Sequence, residues 1–151
     1  MKTFEAIKAV MSEQISGYRI LQSLLQKERV CLVNLNLSQI EDLSKEKDTI
    51  IIRLRLLEEE RKRLLKNYYL EEGVKEEVDI QKLFKESRDD SFETLRLQII
   101  SLLQGIAELN EFNRILIDRS MNFFKNTINF LDSTGMNMSY QQKTHMISRE
   151  A

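Results

Sequence analysis

The feature that most constrains this chain is the spacing of its apolar residues, which recur at alternating steps of three and four. The first row has seven apolar residues in nine positions: Phe4, Ile7, Met11, Gln14, Tyr18, Leu21, Leu25, Glu28 and Leu32. This spacing puts side chains on one face of an α-helix and does not fit the period of two of a β-strand. The chain contains no proline, so the composition does not interrupt long helices.

A second row follows a break at 34–37. Ser38 and Glu41 have the spacing of a capping box, which predicts that a helix begins there. The row consists of Ile40, Leu43, Lys47, Ile50, Leu54, Leu57, Arg61, Leu64 and Tyr68. Gly73 predicts the end of this helix, because glycine readily adopts the left-handed conformation of a C-terminal cap.

The third row is longer and changes character halfway. It consists of Phe92, Leu95, Ile99, Leu102, Ile106, Leu109, Asn113, Leu116, Ser120, Phe123, Thr127 and Phe130. Its three polar members are seven residues apart and fall in the second half. An adjacent apolar row appears there: Ile117, Met121, Phe124, Ile128 and Leu131.

These rows predict an all-α fold: an antiparallel three-helix bundle or coiled coil over residues 1–131. We expect long helices at about 4–33, 38–71 and 91–131, a short helix at about 79–87 in the second connection, and a flexible tail over 132–151. The last helix would be roughly 60 Å long against about 45–50 Å for the first two. Its second half is therefore expected to carry apolar surface that its own bundle does not cover.

Two glycines, Gly17 and Gly105, lie inside predicted helices, where each costs up to about 1 kcal/mol relative to alanine. One hypothesis is that they lie at one level of the bundle and let the first and third helices approach closely. The alternative is that they are tolerated without a common purpose.

The sequence lacks the residue patterns of an enzyme. The single histidine, His145, lies in the polar tail, and the single cysteine, Cys31, lies among apolar neighbours typical of a core. No glycine-rich phosphate loop occurs, so we expect neither a cofactor nor a metal site. With 23 basic and 24 acidic residues and no basic half, the chain is not expected to bind nucleic acid. It has no apolar run long enough for a membrane span and no apolar segment typical of a signal peptide, which predicts a cytoplasmic protein.

The stretch 108–121 resembles a known signature. Chaperones of the FlgN family carry an Asn-x-x-Asn motif, then a Leu-Ile-type pair and a serine, which correspond here to Asn110, Asn113, Leu116, Ile117 and Ser120. The helical restart after Asn34, the 58–61 segment and the short helix before the last one also resemble this family. Many members have a tyrosine closely followed by glycine in the tail, whereas Tyr140 is followed by Gln141.

The resemblance implies a cytoplasmic chaperone that binds flagellar hook–filament junction (hook-associated) proteins and delivers them to the type III export gate, a membrane protein. It implies that the client is held by the last helix and the tail, which agrees with the surplus apolar row. An amphipathic client helix would pack on this row. The expected contact residues are Asn113, Leu116, Ile117, Ser120, Met121, Phe124, Ile128, Leu131 and Tyr140.

Two alternatives use the same apolar surface. The chain is also compatible with a coiled-coil scaffold that associates with itself, or with a regulatory helical adaptor that binds another client. The oligomeric state is not predicted by the sequence, because a surplus apolar row suits self-pairing and client-pairing equally.

Overall fold

The computed structural model describes residues 2–73, 85 and 88–135, and in this part of the chain three helices and no strand are present. Helix α1 spans Lys2–Val33, α2 spans Leu37–Glu71 and α3 spans Asp90–Ser133. The prediction of an all-helical fold is thus confirmed. The short helix predicted at 79–87 lies outside the described residues apart from Lys85, and so does the predicted tail from residue 136 onward.

The helices begin at caps that differ from the predicted one. Helix α2 starts at Leu37, before Ser38, and its cap is Asn36. Asn36 Oδ1 accepts a hydrogen bond from the Gln39 backbone N–H (3.3 Å), and Asn36 Nδ2 donates to Gln39 Oε1 (3.0 Å). The predicted cap at Ser38 was therefore wrong, because an asparagine two residues earlier meets the free N–H groups of the first turn.

Helix α3 is capped by Asp89, whose Oδ1 accepts hydrogen bonds from the backbone N–H groups of Ser91 (2.9 Å) and Phe92 (3.4 Å). Its Oδ2 accepts from Lys8 Nζ of α1 at 3.0 Å. The Ser91 hydroxyl and the Lys8 ammonium, in that order, lower the pKa of Asp89 to about 2. One carboxylate thus starts α3 and ties its first turn to α1.

The contacts divide the chain into two compact units, and each helix contributes to both. Unit 1 comprises Met1–Gln22 and Asp48–Ile106, and unit 2 comprises Ser23–Lys47 and Ala107–Ala151. None of the helices in the described residues is long and apolar enough to cross a lipid bilayer.

Unit 1 has a closed apolar core in which the three predicted rows meet. Phe92 is fully buried and stacks on Phe4 with ring centroids 5.5 Å apart. The other buried members of this cluster are Ile7, Met11, Ile15, Leu64 and Ile99. The row positions predicted to face inward therefore do so in unit 1.

The two helical glycines lie against different neighbours. A Cβ added at Gly17 would lie 2.7 Å from Leu54 Cδ2, so the close approach there is between α1 and α2. A Cβ added at Gly105 would lie 3.0 Å from the Gln22 amide nitrogen. The hypothesis that both glycines bring α1 and α3 together is therefore wrong for Gly17, which makes room for a leucine of α2.

Unit 2 has a core of mixed character. Its buried apolar residues include Leu24, Leu25, Leu32, Ile40 and Leu43. Cys31 is also buried, as predicted, with its Sγ 3.3 Å from Gln39 Oε1. Two polar side chains, Glu28 and Asn113, are buried as deeply as the leucines.

Candidate functional site

The second half of α3, which lies in unit 2, carries all the predicted contact residues that are described. Leu116, Ile117, Ser120, Met121, Phe124 and Leu131 are half-buried. Asn113 and Ile128 are buried, with 1% and 2% of their surface exposed. Tyr140 lies outside the described residues.

Asn113 is held inside unit 2 by a polar network. Its Nδ2 donates to the Leu25 carbonyl oxygen and to Glu28 Oε1, both at 3.0 Å. Glu28 Oε2 lies 2.6 Å from Lys47 Nζ. Glu28 is 2% exposed and the Lys47 side chain 18%. Asn113 therefore joins α3 to α1 directly and to α2 through Glu28 and Lys47, and a direct contact with a client would require the helices of unit 2 to separate.

Three of the predicted residues line an apolar pocket within unit 2. Ile117, Ser120 and Phe124 of α3 face the turn that joins α1 to α2. The pocket is completed by Leu32, Leu35, Leu37 and Ile40. The half-burial of Ile117 and Phe124 therefore arises from their own unit.

Leu35 in that turn has a φ of 54°, in the left-handed region that residues other than glycine rarely adopt. Hydrogen bonds from Leu35 N–H to the Leu32 carbonyl (3.4 Å) and from Asn36 N–H to the Cys31 carbonyl (2.9 Å) hold it there. This backbone lets α1 end and α2 begin within three residues while Leu35 remains at the pocket rim, 47% exposed.

The most exposed apolar residues of this half of α3 are Phe123 and Phe130, at 61% and 66%. Both belong to the third row, and neither was among the expected contact residues. The polar members of the row supply the signal that was missed. From Asn113 onward every second row position is polar, so the phenylalanines between them have no continuous apolar row to join.

Three charged side chains at the start of this segment pair with one another. Arg114 contacts Glu111 at 2.6 Å and Asp118 at 3.1 Å, and the Arg114 guanidinium lowers the pKa of Glu111 below its usual value. Arg29 of α1 lies over the Phe112 ring, 4.5 Å from its centroid. These charged groups have partners within α3 or on α1, and Phe123 and Phe130 remain the most exposed large apolar side chains of this segment.

Within the described part of the chain, no group of three or more His, Cys, Asp or Glu side chains is placed to hold a metal ion. What the second half of α3 offers is exposed apolar area. Such an arrangement suits association with another apolar helix.

The comparisons with known proteins give one match. A family model described as "FlgN protein" covers residues 1–146. No curated protein and no solved structure shows significant similarity to the chain. The resemblance seen in the sequence is thereby confirmed over nearly the whole chain.

Proposed function

Because this chain belongs to the FlgN family, whose role is that of a flagellar export chaperone, we propose that it binds hook-associated proteins through the second half of α3. Bound there, the client is kept from premature assembly and is delivered to the export gate. The proposed chaperone works in the cytoplasm, where its clients are made.

The observation that carries this proposal is the exposure of Phe123 and Phe130. Large aromatic side chains are rarely left in water in neighbouring positions, and an exposed apolar patch marks a site of interaction. The two residues are seven apart and therefore lie on one face of the helix. Their neighbours Ile117, Met121, Phe124 and Leu131 are half-buried and retain surface that a partner can cover.

A client helix fits this surface by helix-on-helix packing. Its apolar residues would cover Phe123 and Phe130 and reach the half-buried row beside them. Full burial of an exposed phenylalanine is worth about 1.5–3 kcal/mol before ordering costs. Two such anchors, together with the half-buried residues beside them, are enough for a dissociation constant in the micromolar range. Asn113 and Ile128 would support the surface from inside.

The test is a double variant, Phe123→Asp with Phe130→Asp, titrated by calorimetry with a synthetic peptide of a hook-associated protein's C-terminal helix. Two anchors are lost and two charges would be buried in the complex, so binding should weaken by about 100-fold or more. The matched control is Leu56→Asp on α2 in unit 1, where Leu56 is also 61% exposed. Unchanged affinity in the double variant, or an equal loss in the control, would contradict the proposal.

The variant Phe124→Asp tests whether Phe124 contacts the client or belongs to the interior of unit 2. We expect it to weaken peptide binding while the far-ultraviolet circular dichroism stays helical, since Phe124 is only half-buried. A collapse of helicity would assign Phe124 to the interior of unit 2 instead.

Self-association is the competing use of the same surface. Light scattering of the chain with and without excess peptide distinguishes the two. A stable oligomer that the peptide does not dissociate would favour a coiled-coil scaffold over a chaperone.

We also propose the antiparallel arrangement of α1 and α2. It is supported by the order of their contacts, in which rising numbers on α1 meet falling numbers on α2. In unit 1 Thr3 pairs with Glu71 and Gln14 with Glu58. In unit 2 Glu28 pairs with Lys47.

A further inference from the structure

The polar network of unit 2 takes one residue from each helix. Glu28, Lys47 and Asn113 all stand at row positions where the sequence otherwise places apolar residues. They meet at 2.6 Å and 3.0 Å, with Glu28 and Asn113 almost completely buried. One polar interruption from each of the three rows therefore lies at the same point of unit 2.

Stability alone does not account for such a network. Desolvating a carboxylate, an ammonium group and an amide is costly, and apolar side chains of similar size are often equally or more stable in their place. Buried polar groups between helices are best established as devices that fix helix register or orientation. The network is therefore to be explained by the arrangement that it selects.

Directly after Asn113, α3 presents two apolar faces that compete for burial. Phe123 and Phe130 lie on one face, and Phe124, Ile128 and Leu131 on the other. Successive residues of a helix point about 100° apart. A rotation of this size would exchange the two faces. The structure turns the Phe124 side toward the pocket at the α1–α2 turn and leaves Phe123 exposed.

We infer that Glu28, Lys47 and Asn113 are positioning residues that select which apolar face of α3 turns inward in unit 2. The Asn113 amide has two acceptors on α1, the Leu25 carbonyl and Glu28, and reaches both in one rotational setting of α3. Rotation of α3 would strand the buried Glu28 without its amide donor, which is costly. The network thus keeps the phenylalanines outward, and its role in client binding rests on the proposed function above.

Unit 1 supplies a matched control. There Gln14 Nε2 donates to Glu58 Oε2 at 2.9 Å, and Glu58 pairs with Arg61. The Glu58 side chain is 32% exposed. The three members of this cluster belong to α1 and α2. It is therefore a polar row interruption with no proposed influence on the phenylalanine face.

The test compares thiol accessibility at adjacent positions, in a Cys31→Ala background that removes the native thiol. Phe123→Cys and Phe124→Cys are made separately and labelled with a maleimide in the absence of any peptide. In this background we expect position 123 to react several-fold faster than position 124. Adding Asn113→Leu should slow position 123 and speed position 124.

Slower labelling at position 123 is the decisive readout, because simple loosening of the structure would speed both positions. The triple change Glu28→Leu, Lys47→Met and Asn113→Leu should give the same exchange with a melting temperature equal to or above that of the background. The control triple Gln14→Leu, Glu58→Leu and Arg61→Met should leave both rates unchanged. Unchanged rates in both Asn113 variants would overturn the inference.

Peptide binding then tests whether the network of Glu28, Lys47 and Asn113 affects the binding of the client. If the chaperone proposal holds, Asn113→Leu in the otherwise native chain should weaken the hook-associated peptide by about tenfold. If the native chain binds no peptide, the proposed function is contradicted. The labelling result would stand independently, so the two failures are distinguishable.

Discussion

In unit 1 the row phenylalanine of α3, Phe92, is fully buried against Phe4, whereas in unit 2 the row phenylalanines Phe123 and Phe130 are the most exposed large apolar side chains of the helix. The same residue type within one row of one helix thus has opposite environments. The difference lies in the row positions between them. At every seventh residue after Phe92 the row is apolar at Ile99 and Ile106 but polar at Asn113, Ser120 and Thr127.

One helix, α3, thus serves two purposes in this protein. In unit 1 the row of α3 is apolar from Phe92 to Ile106, and the polar cluster, in which Gln14 is buried and Glu58 partly exposed, belongs to α1 and α2. In unit 2 the polar side chains occupy the interior, and aromatic surface is left outside. A helix that buries an amide in place of a leucine has apolar area available for a partner.

The largest expected effect tests the contrast between the two phenylalanine environments. Phe92→Ala should destabilise the protein by about 3–5 kcal/mol, because it empties a fully buried aromatic site. Phe130→Ala should change the free energy of unfolding by no more than about 0.5 kcal/mol. Urea unfolding followed by circular dichroism measures both, and similar losses would mean that Phe130 is part of the core.

A smaller effect tests how tightly unit 1 is packed. Gly17→Ala gains about 1 kcal/mol of helix propensity but forces its Cβ against the buried Leu54, so we expect a net loss of about 1 kcal/mol. Gly105→Ala meets only the end of the flexible Gln22 side chain and should gain up to about 1 kcal/mol. If both variants melt at a higher temperature than the native protein, the close packing at Gly17 is not limiting.

The smallest expected effect concerns acid. The pKa of Asp89 falls from its ordinary value of 3.8 to about 2 in the folded protein, so its ionised form favours folding above pH 4. This stabilisation should be lost as the pH falls from about 4 to 2. Asp89→Asn should therefore have a lower melting temperature than the native protein at pH 7, and this difference should shrink toward pH 2.

Thermal unfolding of both proteins across this pH range measures the effect. Asp42→Asn, on the exposed side of α2 in unit 2, is the control and should give a curve parallel to that of the native protein. A difference for Asp89→Asn that stays constant down to pH 2 would count against the role of Asp89 in tying α3 to α1.

Much of the fold could be read from periodicity. The first row was predicted to face inward, and eight of its nine members are buried, with Tyr18 half-buried. The helix starts were less accessible to sequence reasoning, because Asn36 and Asp89 compete with nearby residues of equal capping propensity. Local spacing does not decide among them, since the choice depends on tertiary contacts such as that between Asp89 and Lys8.

The candidate site was predicted only as a region. The sequence located the surplus apolar surface in the second half of α3 but did not single out Phe123 and Phe130 as contact residues. Row counting treats each helix alone, so it did not show that the polar interruptions at Glu28, Lys47 and Asn113 would meet. The expected role of Asn113 as a client contact came from the Asn-x-x-Asn motif, and this motif gives no information on which of its residues are buried.

The sequence by itself determined three long helices and the rows along which they pack, because a period of 3.6 residues and the absence of proline leave few other folds. The tertiary structure alone decided which of two apolar faces of α3 turns inward. That choice depends on hydrogen bonds between residues 85 and 88 positions apart. Such bonds form only when the three helices have come together.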